Sequence, residues 1–311
     1  MNIQSKYNPS SAIYKDRWIA VYINYDKGIE ITSFLERIYD TDFINESCKT
    51  SYFQKYELDN SKLLRIYYKT NYFQYIQDLK PFLFREFNQF FASYQNPEIN
   101  VISFEEFAWV SHYGLSKVVV ETILPIASKA VYDLRQSSED WEIDTAIEKS
   151  FVLDLGLLFA FGLNKEEIHH FYNWLFEERM KTIQIPEGQL NFIEQLINEF
   201  KVNYEGHKEL MLNYVDLLIT EFNGSLAFEE EWITLWFENC KSTFVEIEEK
   251  KADYKLIVPN EFVANANCLI PVENQKLWPI YGHLLEVIHG MMEISFLYEL
   301  NMLFALKEAT K

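Results

Sequence analysis

Between Arg17 and Tyr25 the chain runs RWIAVYINY, dense in β-branched and aromatic side chains, and the run stops at the turn signal Asp26-Lys27-Gly28. Residues of this kind fit a pleated, half-buried surface, so the run predicts a strand that needs partners. Partners follow. Tyr52 to Tyr56 and Leu63 to Lys69, separated by Asp59-Asn60-Ser61, predict a hairpin, and Ile99 to Phe104 predicts one strand more. From Ile183 onward strand signals are nearly absent. This asymmetry predicts an α+β chain, with a mainly antiparallel sheet flanked by helices in the N-terminal half and an all-helical C-terminal half.

Helical spacing of apolar residues appears at Ile29 to Tyr39 and again at Tyr72 to Tyr94, where Pro81 marks a kink or a new first turn. Asn96-Pro97 closes that segment. Ser116 to Arg135 and Trp141 to Phe161 are two more helices, and Gly162-Leu163-Asn164 before Lys165-Glu166-Glu167 reads as a stop followed by an Asn cap with an acidic first turn. After Pro186-Glu187-Gly188 come three patterns, Leu190 to Tyr204, Lys208 to Phe222 and Phe228 to Lys250. A loop from Pro259 to Pro271 then leads into a last helix, interrupted near Gly290. The expected organisation is an α+β region over residues 1–182 and a helical region over residues 183–311 packed on it. No linker is long enough to force a two-domain division, so one continuous structural unit is expected.

With 311 residues and 49% hydrophobic content the chain can bury a large core without staples. Its three cysteines, Cys48, Cys240 and Cys268, are odd in number and in no metal-ligand spacing, which speaks against a disulfide framework and a structural zinc. The first residues lack the apolar stretch of a secretory signal, and nothing reaches the ~20 uninterrupted apolar residues of a membrane span. A soluble, cytoplasmic protein without membrane insertion is expected. The formal net charge of -19 repels phosphate backbones, so direct nucleic-acid binding is not expected. Twenty tyrosines offer wide, stiff contact area with a polar tip, which suits a peptide groove as well as an aromatic core. No phosphate-cradling loop, nucleophile elbow or dinucleotide fingerprint is present, so no cofactor is expected.

The order of features in the first half resembles the elimination domain of class I lantibiotic dehydratases, also known as the thiopeptide-type bacteriocin biosynthesis domain. Its opening strand is matched by Arg17-Trp18-Ile19-Ala20-Val21-Tyr22, its F-I-R-Y strand by Phe53-Gln54-Lys55-Tyr56, and its H-L-R-L-R strand by Lys62-Leu63-Leu64-Arg65-Ile66-Tyr67. The family's R-Y-G-G element is similar to His112-Tyr113-Gly114-Leu115, and its E-x-x-F-x-x-D-S helix to Glu121 through Ser128. The resemblance covers residues 12 to 180. Departures are specific: the first motif's Arg is Lys55, only Arg65 remains in the second, and no Asn-Arg follows His283 or His289, either of which stands for the family's late histidine.

What the resemblance implies is elimination of glutamate from glutamylated Ser or Thr of a ribosomally made precursor peptide. The partners would be that peptide and a separate glutamylating dehydratase subunit. Such chemistry needs a base at the α-proton, a donor for the developing enolate and a cation for the leaving carboxylate. Arg65 is the candidate cation, and His283 or His289 the candidate acid/base. Lys55, Tyr56, Lys62, His112 and Tyr113 are candidate substrate-binding residues, and no metal site is expected. Two alternatives stay open: relatives in the same family form a pyridine ring by cycloaddition on a dehydroalanine-containing precursor, and the fold can persist as a non-catalytic peptide-binding or partner-docking module. Each side chain also has a plainer role. Arg65 and Lys55 alternate with aromatic residues as a solvated sheet face would, and Glu286, His289 and Glu293 fit a satisfied network on one helical face.

Overall fold

Alternation of apolar residues along the predicted strands is realised as a four-stranded antiparallel sheet. The computed structural model describes residues 16–57, 61–94, 97–105, 114–138, 141–185, 191–224, 228, 230–250 and 270–311. They fall into two compact units, Met1–His112 and Tyr113–Lys311. In the first, β1 (Asp16–Asp26), β2 (Thr50–Glu57), β3 (Ser61–Asn71) and β4 (Val101–Glu105) lie in the order β2-β3-β1-β4. The turn after β1 is closed by Ile29 N–H donating to the Asp26 carbonyl at 3.0 Å. The hairpin predicted between Tyr52 and Lys69 is present as β2 and β3.

One face of this sheet is covered by helices, because a period of two sends Ile19, Val21, Ile23, Phe53, Leu64, Ile66 and Tyr68 to the same side. Helices α1 (Thr32–Ile38), α2 (Asp42–Ser47), α3 (Tyr72–Gln74) and α4 (Lys80–Phe91) accompany it. Tyr68 donates to the Ile38 carbonyl at 2.5 Å, Tyr39 meets Phe53 edge-on at 5.2 Å, and Phe84 lies 4.9 Å from Phe104. Pro81 begins a new first turn. A π turn, Tyr75–Leu79, precedes it, in which Lys80 N–H reaches back five residues to the Tyr75 carbonyl. Pro81 has no N–H to continue the ladder, and the wider turn absorbs that gap.

The second unit is helical: α5 (Gly114–Ser137), α6 (Ile143–Ala160), α7 (Lys165–Lys181), α8 (Phe192–Phe222), α9 (Glu231–Lys250), α10 (Val272–Gln275), α11 (Trp278–Met291) and α12 (Phe296–Ala309). The sequence boundary at 182/183 falls inside this unit, between α7 and α8. Helix α6 is apolar all round from Phe151 to Leu158 apart from Asp154, and every residue of that stretch is buried, as expected of a helix packed on all sides. It packs against α8, α9 and α11. The stop after it is as predicted: Gly162 has φ 80°, the left-handed region that favours glycine, and Asn164 and Glu167 form a reciprocal capping box with both bonds at 3.0 Å.

One expectation about helix ends is corrected. Where two patterns were expected, to Tyr204 and from Lys208, Phe192–Phe222 is one continuous helix of 31 residues. A single glycine costs only ~1 kcal/mol in a helix interior, and the buried stripe Leu196, Phe200, Tyr204, Val215, Leu218 and Phe222 outweighs it. Because a β-carbon at Gly206 meets nothing within 4 Å, Gly206→Ala is expected to raise stability by about 0.5–1 kcal/mol, read as a higher urea midpoint at unchanged m-value. The terminal helix breaks near Gly290, as predicted. Gly290 lies inside α11, and the chain turns at Glu293, whose φ is 62°. Glu293 therefore leaves the face shared by Glu286 and His289, and pairs with Arg135 at 3.4 Å.

Candidate functional site

Opposite the helix-covered face, the alternate residues of the sheet bring Arg65 together with tyrosines from three strands. Register sets Arg65 directly across from Tyr22 on β1 and Gln54 on β2, with Tyr67, Tyr56 and Glu105 in the adjoining rows. Its guanidinium carbon lies 4.8 Å from the Tyr22 ring centroid and 5.1 Å from that of Tyr56, and Nη1 donates to the Tyr67 hydroxyl at 3.2 Å. Tyr67 in turn stacks on Tyr52 at 4.5 Å, the Tyr56 hydroxyl donates to Gln54 at 2.5 Å, and the Tyr22 hydroxyl donates to Glu105. Aromatic faces carry partial negative charge and so hold the cation without neutralising it.

The electrostatics keep this cluster in one protonation state. Burial opposes the Arg65 charge, but the oxygens of Tyr67 and Tyr56 outweigh it and raise the pKa further. Tyr22 is pushed up by burial and by its bond to Glu105, and Tyr67 by burial against the opposing pull of Arg65. The phenols therefore remain donors near neutral pH. Among the described residues no carboxylate forms an ion pair with Arg65, and its buried Nε–H finds no acceptor. A half-buried guanidinium with a donor unused among the described residues is chemically able to receive an anion.

The other sequence candidates distribute differently. Tyr56 joins Arg65, but Lys55 and Lys62 have the opposite parity: they pair with Leu64 and Glu57 and face the other side of the sheet. Lys55 is 7% exposed there. His112 and Tyr113 lie outside the described residues. His283, on α11, has a side chain 30% exposed, with Nδ1 4.0 Å from Glu286. Tyr22, Tyr67 and Glu105 were missed because only the pairing register places them beside Arg65.

His289 occupies the core of the helical unit at 1% exposure. Nε2 lies 3.1 and 3.0 Å from the two oxygens of Asp154 on α6, and Nδ1 lies 3.3 Å from Glu299 on α12. Arg179 of α7 continues the chain of charges, 3.4 Å from Glu299 and 3.0 Å from Glu286. Burial opposes the imidazolium, but Asp154 and then Glu299 outweigh it and raise its pKa to about 10. Burial pushes Asp154 up against the pull of His289, whereas Glu299, facing both His289 and Arg179, is held below the usual carboxylate range. With both ring nitrogens donating to carboxylates, His289 has no lone pair for a substrate proton. Its assignment as an acid/base gives way to that of a fixed cation joining α6, α11, α12 and, through Glu299, α7. The signal was Asp154, a lone carboxylate in the apolar run of α6, which had to find a buried partner.

Among the described residues no group of three or more His, Cys, Asp or Glu is arranged to hold a metal ion, and no helix is long and apolar enough to cross a membrane. A cavity of about 880 Å³ opens between α6, α8 and α12, walled by Phe151, Tyr204, Met211, Tyr214, Tyr298 and Met302.

The chain has the fold of solved proteins from thiopeptide and lantibiotic biosynthesis. It superposes on TbtD, a pyridine synthase from thiomuracin biosynthesis, with a TM-score of 0.64 and 10% identity over 94% of this chain and 97% of that one. It superposes on TsrL with a TM-score of 0.57 and 11% identity over 95% and 94%. A third match is the tRNA-dependent lantibiotic dehydratase MibB from Microbispora sp. 107891, with a TM-score of 0.54 and 12% identity, covering 94% of this chain but 28% of MibB. No protein-family model matches the sequence, and no curated protein matches it. The resemblance read from the ordered strand motifs and the fold found in three dimensions thus point to the same group of proteins.

Proposed function

We propose that this chain acts on a ribosomally made precursor peptide in the maturation of a thiopeptide- or lanthipeptide-type product, and that its reaction is elimination of glutamate from glutamylated Ser or Thr. The observation that carries this reading is the Arg65 guanidinium, walled by Tyr22, Tyr56 and Tyr67 and without a carboxylate partner among the described residues. In the elimination a base removes the α-proton, the Cβ–O bond breaks, and glutamate departs with the electron pair as a carboxylate while the C=C bond forms. Arg65 would receive that carboxylate through its forked donors, and the Tyr22 and Tyr67 hydroxyls would donate to oxygens gaining charge. Glu105, hydrogen-bonded to Tyr22 on the same face, is the carboxylate we assign to the α-proton. A separate subunit would glutamylate that peptide.

A second reading is supported by chain architecture. TbtD is matched over 97% of its length and MibB over 28%, so the chain corresponds in extent to a pyridine synthase. On that reading the same donors would polarise an amide of a dehydroalanine-containing peptide during ring closure.

Co-expression with precursor and glutamylating partner, followed by mass spectrometry, separates the readings. Elimination converts glutamyl-ester masses to dehydrated ones only when this chain is present. Pyridine formation instead consumes two dehydroalanines already made and adds an aromatic absorbance. Persistence of the glutamyl esters, with peptide still bound, would reject both reactions and leave a docking module.

A further inference from the structure

Trp18 opens β1 on the same side of the sheet as Arg65. Along β1 the residues of that side are Trp18, Ala20 and Tyr22, and register sets them across from Lys69, Tyr67 and Arg65 on β3. Rings join the two ends of this row. Trp18 meets Tyr52 edge-on at 5.2 Å, Tyr52 stacks on Tyr67 at 4.5 Å, and the Tyr67 hydroxyl receives Arg65 Nη1 at 3.2 Å. Lys69 and Arg65 are four residues apart on β3, so the row is ~13 Å long, the span of four extended residues.

Two donors in the row are buried without an acceptor. Trp18 is 5% exposed, and its indole Nε1–H has no hydrogen-bond partner. Arg65 Nε–H is in the same position at the other end. The Tyr67 hydroxyl between them accepts from Arg65, so its own hydrogen is turned elsewhere, and no bond from it is formed among the described residues. The oxygens of Gln54 and Glu105 on this side already receive the Tyr56 and Tyr22 hydroxyls. Buried N–H and O–H groups are paired in almost all folded proteins, because leaving one without an acceptor costs free energy. Packing against Tyr52 needs only the ring of Trp18, not its N–H.

A row rich in donors and poor in open acceptors is the complement of carbonyl groups spaced along an extended peptide. We propose that Trp18 is a substrate-binding residue, its indole N–H donating to a main-chain carbonyl of the precursor peptide, ~13 Å along the sheet from the glutamyl group held at Arg65. This role rests on Arg65 being the glutamyl site. It adds the contact that reads the flanking main chain rather than its side chains.

Two probes separate the contacts. The short one is a 2,3-diaminopropionate residue, acetylated and amidated, whose side-chain nitrogen carries glutamate as an amide in place of the labile ester. The long one is the same residue with about five alanines on each side, enough to span the row in either direction. Calorimetric titration of the full chain is expected to show the long probe binding at least tenfold more tightly than the short one. In Trp18→Phe, which keeps a ring against Tyr52 and deletes the N–H, the long probe is expected to lose at least fivefold in affinity and the short probe less than twofold. Nitrogen-15 spectra give a direct readout: the indole N–H signal that is missing in Trp18→Phe moves downfield with the long probe and not with the short one. Equal affinity for both probes would overturn the proposal and leave the Arg65 reading standing. So would a long probe that binds Trp18→Phe unchanged. Long-probe binding that depends on Trp18, with no binding of the short probe, would keep the main-chain contact and sink the glutamyl reading. Absence of binding by either probe at millimolar concentration would reject both. The two probes are compared on the unsubstituted protein, so that comparison decides even if Trp18→Phe fails to fold.

Discussion

His289→Leu is expected to lower the stability of the helical unit by about 3–5 kcal/mol at neutral pH, the usual cost of leaving one partner of a buried ion pair alone. Asp154 is 0% exposed, so without the imidazolium it must either stay charged in an apolar interior or take up a proton. That choice gives the variant a signature. The deficit shrinks as pH falls, because protonation of Asp154 removes the orphaned charge, and Asp154→Asn in the His289→Leu background recovers part of the loss. The unsubstituted protein shows the complementary dependence. Its imidazole holds a proton up to about pH 10 when folded and up to about 6.5 when unfolded. The contribution is therefore complete below pH 6.5 and disappears as pH rises through 10. Glu299, held low, adds stability that is present above its unfolded pKa of about 4.5 and lost as pH falls through its lower folded value. Urea unfolding from pH 2 to 10.5, followed by circular dichroism, checks both signs. A flat profile in the unsubstituted protein, with a variant deficit under 1 kcal/mol, would show that these charges do not hold the helices together.

Arg65→Ala is expected to reduce elimination at least a hundredfold, about 2.7 kcal/mol of transition-state stabilisation. Arg65→Lys should recover little of it. An ammonium is a point charge and cannot present two parallel donors to a carboxylate, and its shorter reach forfeits the packing between Tyr22 and Tyr56. Stability should change far less than activity, because the cation–π contacts contribute ~0.5–1 kcal/mol each at a partly exposed site. Single-turnover release of glutamate from a glutamylated peptide measures the effect directly. Turnover within twofold of the unsubstituted protein would remove Arg65 from the chemistry and return it to the role of a sheet-face cation.

Local signals carried much of the fold. RWIAVYINY could only be a strand, the two runs after it could only pair as a hairpin, and Gly162-Leu163-Asn164 stopped one helix and capped the next through contacts within a few residues. The exception was a position where a weak local signal met strong packing. Gly206 reads as a break, but it is exposed, and the apolar stripe on both sides of it carries α8 through. Near Gly290 the predicted break is present: α11 ends at Met291, and Glu293 turns toward Arg135.

The site divides along the same line. Arg65 and Tyr56 stood out as a cation and an aromatic ring on neighbouring strands, and the ordered motifs around them pointed to the fold that was found. Which residues share a face with Arg65 depends on register between strands far apart in sequence, and one residue of parity sends Lys55 and Lys62 to the opposite side. His289 shows the same limit from the other direction. A histidine in an apolar helix is compatible with catalysis or with the core, and only the approach of Asp154, 135 residues away, decides for the core. Periodicity and capping act over a few residues and are written in the chain. The partner of a buried charge, and the side of a sheet on which a cation emerges, arise from long-range packing that no local pattern encodes.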